Sequence, residues 1–369
     1  MRRSHRLWKA FAPVYQRAIR IFGPDVYHGG PPSGTFSERE SIVRGHVVGS
    51  ICDRRSPLPA IPETSEIRAA GLHQERNADW PLLWSAREDA YLVAPSLAHL
   101  DSEGQACLES MFGPHAWTDP VWRRLPPRPL RVLAGNYTSI VSRWTNGHNY
   151  YHWLMDGLTR LTHLESFPDD TRILIPAGLP EFGIRSLELL GLKDRAVSTA
   201  AEDLRLEHYW FAGPTMLSGC PDIEGVTWLR NQFLKSSTPP PSSFIYLDRQ
   251  AGRRSCHNDN ELRNWFDRRG WQIVDPGLMS FDEQIRLFAN AKAVAGIHGA
   301  GLSNLLWMPK GGRVLEIMPS RRRNGCYAGI SLCAGLDHRA WVLPSDRLGN
   351  LTVPLESLPE QVEWAESAG

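Results

Sequence analysis

The sequence predicts an α/β protein, and three observations lead to that prediction. In the second half of the chain, four short apolar runs alternate with segments of helical periodicity. Strands that alternate with helices of this length form parallel β-α-β units with right-handed crossovers. A proline-rich stretch precedes the first of the four apolar runs, and a glycine-rich loop follows the third apolar run. The second half is therefore predicted to be a Rossmann-like domain.

The four strands are expected at residues 244–249, 271–276, 293–297 and 313–318. The first intervening helix is predicted over 258–270, with Asn258 as its N-cap and Gly270 at its end. The second begins at Ser280, and Glu283 three residues later completes a capping box before an apolar run. Both helices have the apolar spacing of an amphipathic surface.

The stretch KSSTPPPSS at 235–243 predicts an extended connector between two domains. The first half contains predicted strands at 131–135, 172–176 and near 209–214, and predicted helices at 149–164 and 183–192. We therefore expect an N-terminal arm and unassigned region at 1–127, an N-terminal Rossmann-like domain at 128–238, a C-terminal one at 239–345, and a tail at 346–369.

Composition is ordinary for a soluble protein, and the length of 369 residues suits two domains. Lysine plus arginine (41) nearly balance aspartate plus glutamate (40), so no nucleic-acid partner is expected. The six cysteines form no C-x-x-C pair. We expect reduced thiols in a cytosolic protein, with disulfides as the alternative if the chain is secreted.

The N-terminal segment at 1–23 is basic and is followed by no apolar region of the kind a secretory signal has. Its apolar residues recur at a nearly helical period that Pro13 interrupts. Two interpretations stay open: peripheral contact with the anionic inner face of a membrane, or a plain solvated arm. The expected location is cytoplasmic in both cases.

The glycine-rich loop GIHGAG at 296–301 follows the third predicted strand. Ligands of open parallel sheets bind beyond the carboxyl ends of the strands, where this loop lies. Its glycines let backbone N–H groups approach an anion, and a helix starting near Leu302 would add its positive end. The loop has neither a Walker lysine nor G-x-G-x-x-G. It is either a phosphate cradle to which His298 contributes, or a turn with a structural histidine.

Three arginines follow the first predicted strand of the same domain: Arg249, Arg253 and Arg254. Guanidinium groups bind phosphate oxygens in bidentate geometry. We expect this loop to share a rim with His298, and a solvated basic loop is the alternative. Glu316, on the fourth strand, is suited to accept hydrogen bonds from ribose hydroxyls.

His148, His152 and Asp156 are spaced by four residues in GHNYYHWLMDG. A helix that begins early enough would bring all three to one face. The histidine spacing is that of a zincin metal pair, but Asn149 stands where that motif needs glutamate. His152 and Asp156 are therefore either a general base with its orienting partner, or a core histidine near a surface aspartate. The aromatic residues around them fit a sugar-stacking surface or an aromatic core: Trp144, Tyr150, Tyr151 and Trp153.

Taken in order, these segments resemble glycosyltransferase family 61. The matching pieces are NYYHWLMDGLTRL from residue 149, YLDRQAGRRSCHNDNEL from residue 246, and SFDEQIRLFANAKAVAGIHGAGLSNLLWMPKGGRVLEIMP from residue 280. The resemblance covers residues 149–319, and nothing in 1–127 matches. One departure is Asp259, where the family usually has glutamate.

The resemblance implies the GT-B architecture, in which two Rossmann-like domains face each other across a cleft. It also implies a UDP-linked sugar donor on the C-terminal domain, an acceptor on the N-terminal domain, inversion at the anomeric carbon, and no required cofactor or metal. The base would be Asp156 or His152. Carried over by position, the donor-binding residues are Arg249, Arg254, His298, Gly299, Ala300, Gly301, Asn304 and Glu316. Acceptor or sugar contacts are expected at Asn149, Tyr151 and Trp153.

The resulting hypothesis is a hexosyl- or pentosyltransferase that uses a glycan or glycolipid acceptor. A role in bacterial surface polysaccharide synthesis follows by analogy alone. Three alternatives stay open. They are a non-catalytic carbohydrate- or nucleotide-binding protein of the same fold, a metallohydrolase built on the histidines and Asp156, and a Rossmann oxidoreductase, against which the absent G-x-G-x-x-G argues.

Overall fold

The computed structural model describes residues 84–100, 110, 128–200, 202–213, 218–219, 221–234, 240–248, 256–321 and 323–367. The predicted N-terminal arm, most of the region 1–127 and the first part of the proline-rich stretch lie outside these residues. The chain divides into two units between Ser218 and Gly219. The first unit has a mixed sheet and the second a parallel sheet, so the α/β class predicted from the sequence is confirmed.

The first unit is built on a six-stranded sheet in the order β2-β1-β6-β3-β4-β5. The neighbours β6-β3, β3-β4 and β4-β5 pair in parallel, whereas β1 is antiparallel to β2 and β6. Strands β3, β4 and β6 confirm the three predicted ones. The strands are β1 (Trp84–Val93), β2 (Ala98–Leu100), β3 (Leu130–Ser139), β4 (Arg172–Pro176), β5 (Ala196–Thr199) and β6 (Asp203–Ala212).

The helix predicted over 149–164 forms, but its winding changes twice. It begins as α1 (Tyr150–His152), widens into a π-helical turn (Trp153–Gly157) and continues as a 3-10 helix (Leu158–Ser166). Turns of π-helix inside helices are uncommon and occur often at functional sites. The other predicted helix of this unit is α2 (Glu181–Leu189).

The second unit has a five-stranded sheet in which every neighbouring pair is parallel, in the order β11-β10-β9-β7-β8. Its strands are β7 (Ser243–Leu247), β8 (Gln272–Val274), β9 (Ala291–Ile297), β10 (Arg313–Pro319) and β11 (Asp337–Leu343). Its helices are α3 (Ile223–Phe233), α4 (Asp259–Arg268), α5 (Phe281–Ala289), α6 (Cys326–Ala334) and α7 (Leu358–Glu366), with a 3-10 helix at Ala300–Trp307. The four predicted strands and both predicted helices are present. Among the described residues, no helix is long and apolar enough to span a bilayer.

Counted from β7, the strand order of this sheet is 2-1-3-4-5, which is a doubly wound order. The chain passes from β7 to β8 on one side and then crosses to β9 on the other side of β7. The crevice for a ligand lies outside the carboxyl ends of the strands at this switch point. The loops after β7 and β9 therefore flank the expected binding position of the unit.

Strands β7 and β9 approach each other closely at Gly296. A Cβ atom placed on this glycine would lie 2.8 Å from Cβ of Leu247. Real Cβ atoms do not come this close, so a side chain at this position would force the strands apart. Glycine is required here for packing, directly before the loop that carries His298.

The division between the units lies before the boundary predicted at 238/239. Helix α3 follows the division and packs within the second unit. Its Arg230 Nη1 donates to the carbonyl oxygens of Leu306 at 2.5 Å and Met308 at 2.8 Å. The ring of Phe233 packs against Phe281 and Trp307. The proline-rich stretch therefore joins a helix and a strand of the same unit.

Two further details differ from the sequence-based expectations. Asn258 precedes α4, but its side chain pairs with the backbone of Val353 and does not cap the helix. The predicted tail 346–369 contains α7, whose Leu358 and Val362 lie in the core. The capping box of α5 forms as predicted, with Ser280 and Glu283 bonding reciprocally.

Candidate functional site

The residues His152 and Asp156 form a hydrogen-bonded pair at the change from α-helix to π-helix. His152 ends α1 and Asp156 lies in the π-helical turn, and Nδ1 of His152 is 2.6 Å from Oδ2 of Asp156. Asn149 is the N-cap of α1, and its side-chain oxygen accepts a hydrogen bond from the backbone N–H of His152. The start of the helix thus fixes the backbone of the histidine, and the carboxylate fixes its ring.

Burial separates the roles of the two members of this pair. The side chain of Asp156 is 0% exposed, whereas that of His152 is 24% exposed. A carboxylate without access to solvent is not placed to take a proton from a substrate. Because Nδ1 of His152 faces a carboxylate, we assign the proton to Nδ1. Nε2 is then the basic nitrogen, and Asp156 orients the ring.

Ser218 is a third member of the cluster that the sequence did not reveal. Its Oγ donates to Oδ2 of Asp156 at 2.7 Å and lies 3.5 Å from Nδ1 of His152. The two residues bonded to the carboxylate are separated by 66 positions, and no motif marks the serine. One carboxylate oxygen therefore receives hydrogen bonds from both a hydroxyl and an imidazole.

A buried cation lies one helical turn beyond Asp156. The guanidinium of Arg160 is fully buried, and burial lowers its pKa to about 10, against opposing electrostatic effects of Tyr209 and Asp156. Its Nη1 donates to the carbonyl oxygen of Ser139 at 3.4 Å. At this pKa the group stays charged at neutral pH, so it supplies positive charge that compensates the buried carboxylate.

Aromatic rings enclose the imidazole of His152. Trp144 stacks on it with ring centroids 5.0 Å apart, and Tyr151 meets it edge-on at 5.3 Å. Arg143 lies over the Trp144 ring at 4.4 Å. Trp144 is half-buried and Tyr151 is buried, so Trp144 is the more accessible of the two for sugar stacking, which stays a prediction.

The three predicted acceptor residues have local structural roles in this structure. Asn149 caps α1, and Tyr151 is 4% exposed. Trp153 is 1% exposed, and its Nε1 donates to Oγ of Ser186 at 2.9 Å. These contacts hold the helix against its unit. A direct sugar contact by any of the three stays a prediction.

In the second unit, the predicted loop lies at the switch point of the sheet. His298 and Gly299 follow β9, and the 3-10 helix begins with Ala300 and Gly301. The expected helix start near Leu302 is thus confirmed within two residues, as a 3-10 helix. Backbone N–H groups at its first turn are the donors that an anion at this position would meet.

Asn304 holds the shape of this loop. It is fully buried, and its Nδ2 donates to Oε1 of Gln284 at 2.7 Å and to the carbonyl of Gly301 at 3.1 Å. Its Oδ1 accepts a hydrogen bond from Nε1 of Trp307. All these partners are protein groups, so the structure gives Asn304 an organising role. Its predicted direct contact with a donor stays a prediction.

Glu316 is the centre of a buried hydrogen-bonded row. Its Oε1 is 2.5 Å from Nδ1 of His298, and its Oε2 is 2.9 Å from Nε2 of His338. Oγ of Ser331 lies 2.9 Å from Nδ1 of His338. Burial alone would raise the pKa of Glu316, but the hydrogen bonds and charges of the two histidines outweigh it and lower the pKa to about 2. Both carboxylate oxygens already accept a hydrogen bond, so the predicted ribose contact stays a prediction.

Arg249, Arg253 and Arg254 lie outside the described residues, so their predicted phosphate contacts stay predictions. The residue before them, Asp248 at the end of β7, is buried and pairs with Arg263 of α4 at 3.2 Å. This ion pair connects the residue after β7 to α4.

His148 does not join His152 and Asp156. It precedes α1 in a left-handed backbone conformation, and its Nε2 lies 2.8 Å from the carbonyl oxygen of Ala177. Among the described residues, no group of three histidine, cysteine, aspartate or glutamate side chains is placed to hold a metal ion. The helix begins too late to form the histidine pair on which the metallohydrolase alternative depends.

Comparison with known proteins gives one family model, which covers the His152–Asp156 pair and the loop of His298. Residues 150–315 match the family model for Glycosyltransferase 61. The EGF domain-specific O-linked N-acetylglucosamine transferase of Drosophila melanogaster is 30% identical over 108 residues, which are 28% of this chain and 21% of that protein. The beta-1,2-xylosyltransferase RCN11 of Oryza sativa subsp. japonica is 30% identical over 134 residues, 31% of this chain and 25% of that protein.

A third relative is the EGF domain-specific O-linked N-acetylglucosamine transferase of Gallus gallus, 30% identical over 111 residues. These residues are 27% of this chain and 21% of the relative. The chain therefore matches a quarter or less of the length of each of these curated relatives.

Proposed function

Because its residues 150–315 match the family model for Glycosyltransferase 61, we propose that this chain is an inverting glycosyltransferase of that family. It moves a sugar from a nucleotide-sugar donor to a hydroxyl group of a glycan or glycolipid. The names of the relatives support transfer of N-acetylglucosamine or xylose by this family. A UDP-linked donor and a role in surface polysaccharide synthesis belong to the same proposal.

The proposal rests on the hydrogen bond between His152 and Asp156, together with the exposure of the histidine side chain and the complete burial of the aspartate side chain. In the proposed reaction, Nε2 of His152 takes the proton of the acceptor hydroxyl as the oxygen attacks C1 of the sugar. The bond between C1 and the diphosphate oxygen breaks, and its electron pair leaves with the diphosphate. The carboxylate of Asp156 stabilises the imidazolium that forms, as in other base–orienter pairs.

The donor side of the proposal rests on the second unit. Its loop at the switch point offers backbone N–H groups, and the arginines after β7 are expected to add charge. These groups would stabilise the departing diphosphate, which is an electrostatic role. The GT-B arrangement of the two units stays a prediction, as does the absence of a required cofactor.

The proposal is tested by nucleotide release and sugar transfer with a panel of UDP-sugars. Replacing His152 with glutamine removes the base but keeps a polar side chain of similar size. We expect His152→Gln to lower kcat by about 10²–10⁴-fold, the usual contribution of general base catalysis. Stabilisation of the protein by UDP in a thermal shift assay should not change.

The matched control is His208→Gln, which alters an exposed histidine of β6 in the same unit. This variant should turn over normally. Normal turnover by His152→Gln would remove the residue from the base position. Nucleotide-sugar binding by the wild-type protein without hydrolysis or transfer would instead favour the non-catalytic binding protein.

A further inference from the structure

Strands β3 and β6 of the first unit are parallel neighbours, so their carboxyl ends lie at the same edge of the sheet. Strand β4, which follows β3 in the chain, pairs with the other side of β3. The strand order therefore reverses at β3, and ligands of open sheets bind outside the carboxyl ends at such a point. The connection after β3 carries His152 and Asp156, and the connection after β6 carries Ser218. The hydrogen bond between Ser218 and Asp156 thus joins the two connections at this edge.

Both hydrogen bonds to the carboxylate of Asp156 end on the same oxygen. Nδ1 of His152 lies 2.6 Å from Oδ2, and Oγ of Ser218 donates to Oδ2 at 2.7 Å. The other oxygen, Oδ1, is buried and has no hydrogen-bond partner among the described residues. The torsion about the Cβ–Cγ bond of an aspartate is soft, so a carboxylate held by one partner can turn. In the described part of the chain, Ser218 is the one hydrogen-bond partner besides the proposed base that limits this rotation.

The other neighbours of the pair act differently from Ser218. Arg160 is buried one helical turn beyond Asp156, and the two side chains attract each other electrostatically. Such an attraction stabilises the charge of the carboxylate, but it has no preferred angle, whereas a hydrogen bond has one. Trp144 stacks on the ring of His152 at a centroid distance of 5.0 Å and restrains the imidazole by packing. The orientation of the carboxylate is therefore left to the hydroxyl of Ser218.

We propose that Ser218 is a positioning residue for the transfer reaction: its hydroxyl fixes the carboxylate of Asp156 and, through it, the imidazole of His152 in one orientation. The inference rests on the proposed function, because it takes His152 as the base. The hydroxyl of Ser218 keeps its proton throughout. The proton of the acceptor hydroxyl passes to Nε2 of His152, and none passes through the serine.

The fixed carboxylate matters most when the base becomes charged. An imidazolium and a carboxylate attract each other more strongly than a neutral ring and a carboxylate do. A carboxylate that is already oriented needs no rearrangement as this charge develops, which is how preorganised polar groups lower a barrier. Without the hydroxyl, the carboxylate and the imidazole would turn together, and Nε2 would be less often in place.

The first test is the rate of sugar transfer by Ser218→Ala. We expect kcat to fall by about 10–100-fold, because small misplacements of reacting groups have costs up to this size. The affinity for UDP, measured by calorimetry, should not change, since Ser218 belongs to the first unit and the proposed donor site to the second. The matched control is Ser198→Ala, which alters an exposed serine of β5 in the same unit and should transfer at the normal rate.

Two further variants separate the hydrogen bond from the volume of the side chain. Ser218→Cys has nearly the same shape, but a thiol is a weak donor, so its kcat should fall as in the alanine variant. Ser218→Thr keeps the hydroxyl and should recover most of the rate. A normal rate in Ser218→Cys, or an equal loss in all three variants, would show that the serine only fills space and would overturn the inference. This comparison decides the question even if Ser218→Ala is unstable.

Proton NMR of the imidazole gives a readout that needs no substrate. The proton on Nδ1 of His152, assigned by its absence in His152→Gln, should exchange slowly with solvent because its carboxylate partner is 0% exposed. Exchange should be faster in Ser218→Ala and slow again in Ser218→Thr. Unchanged exchange together with a normal kcat in Ser218→Ala would overturn the inference and leave the proposed function intact. No transfer by the wild type with any UDP-sugar would overturn the proposed function, while the exchange rates would still report whether Ser218 positions the ring.

Discussion

The two ring nitrogens of His152 face different environments, and this asymmetry is the chemical basis of the proposed base. Nδ1 is held by the buried carboxylate of Asp156, which leaves Nε2 as the basic nitrogen of a side chain that is 24% exposed. The carboxylate is itself held by Ser218. His152 is thus the proposed base, Asp156 orients its ring, and Ser218 holds the carboxylate, so a conservative substitution of each residue tests a different role.

Asp156→Asn is expected to abolish base catalysis without disturbing the donor site. The amide of asparagine would turn its NH₂ group or its oxygen toward Nδ1, and the former arrangement forces the proton of His152 onto Nε2. We expect kcat to fall by about 10²–10⁴-fold, while UDP affinity stays within about twofold. The measurement is steady-state transfer beside calorimetric UDP binding.

Asp169→Asn is the matched control for this change, because Asp169 is an exposed aspartate beyond the same helical segment. Its kcat should equal that of the wild type. Transfer at the normal rate by Asp156→Asn would show that the carboxylate neither orients nor charges the base.

At the residue scale, the sequence predicted the pair His152–Asp156 but not its surroundings. The spacing of four residues in a helix is a local signal, and it survives the change to π-helical winding. Ser218 and His338 carry no such signal, because their partners are 62 and 22 positions away and depend on the fold. The family match ends at residue 315, so Glu316, Ser331 and His338 lie beyond it.

At the scale of elements, the contact between β7 and β9 determines the position of the donor loop. Gly296 lies against Leu247 with no room for a side chain. We expect Gly296→Ala to lower the free energy of unfolding by about 1–3 kcal/mol, because overpacking of a core has this cost. Urea unfolding of the purified protein measures this change.

A double-mutant cycle with Leu247→Gly, which removes the clashing Cβ atom, identifies the cause. If the clash with Cβ of Leu247 is responsible, Gly296→Ala should cost clearly less when residue 247 is already glycine and has no Cβ. Equal costs in both backgrounds would place the strain elsewhere in the strand.

The elements that the sequence predicted are those with strong local signals. The capping box Ser280–Glu283 and an apolar stripe predicted α5 from the sequence. Apolar runs predicted β9 and β10. Strand β11 (Asp337–Leu343) has charged residues and is half exposed over most of its length. Its apolar run, residues 340–343, is only four residues long and follows charged residues, so the pairing with β10 is what defines the strand.

At the scale of the whole molecule, the second unit is completed by the end of the chain. Helix α7 packs Leu358 into the core, and Glu366 accepts hydrogen bonds from Arg269 and Trp271 beyond α4. The sequence predicts a tail here, although the segment contains apolar residues, such as Leu358 and Val362, that lie in the core. Leu358 and Val362 are recognisable as core residues only in the folded unit, because they pack against side chains of β7, β9 and β10.

Leu358→Ala should therefore destabilise the second unit. The side chain is fully buried, and its truncation should cost about 2–5 kcal/mol in the free energy of unfolding. Hydrogen exchange measured by mass spectrometry should show faster exchange in β7, β9 and β10. Leu348→Ala is the control, because Leu348 is 65% exposed and its loss should cost less than about 0.5 kcal/mol. Similar exchange in both variants would mean that α7 is not part of this core.

The buried row of His298, Glu316 and His338 also constrains how the sheet can assemble. A shift of β10 by one residue against either neighbour would turn Glu316 to the opposite, apolar face. A buried carboxylate without a partner costs several kcal/mol. Misregistered pairings of three adjacent parallel strands are thereby disfavoured during folding, whether or not a nucleotide ever binds. The hydrogen bonds of these three side chains thus favour one register among β9, β10 and β11.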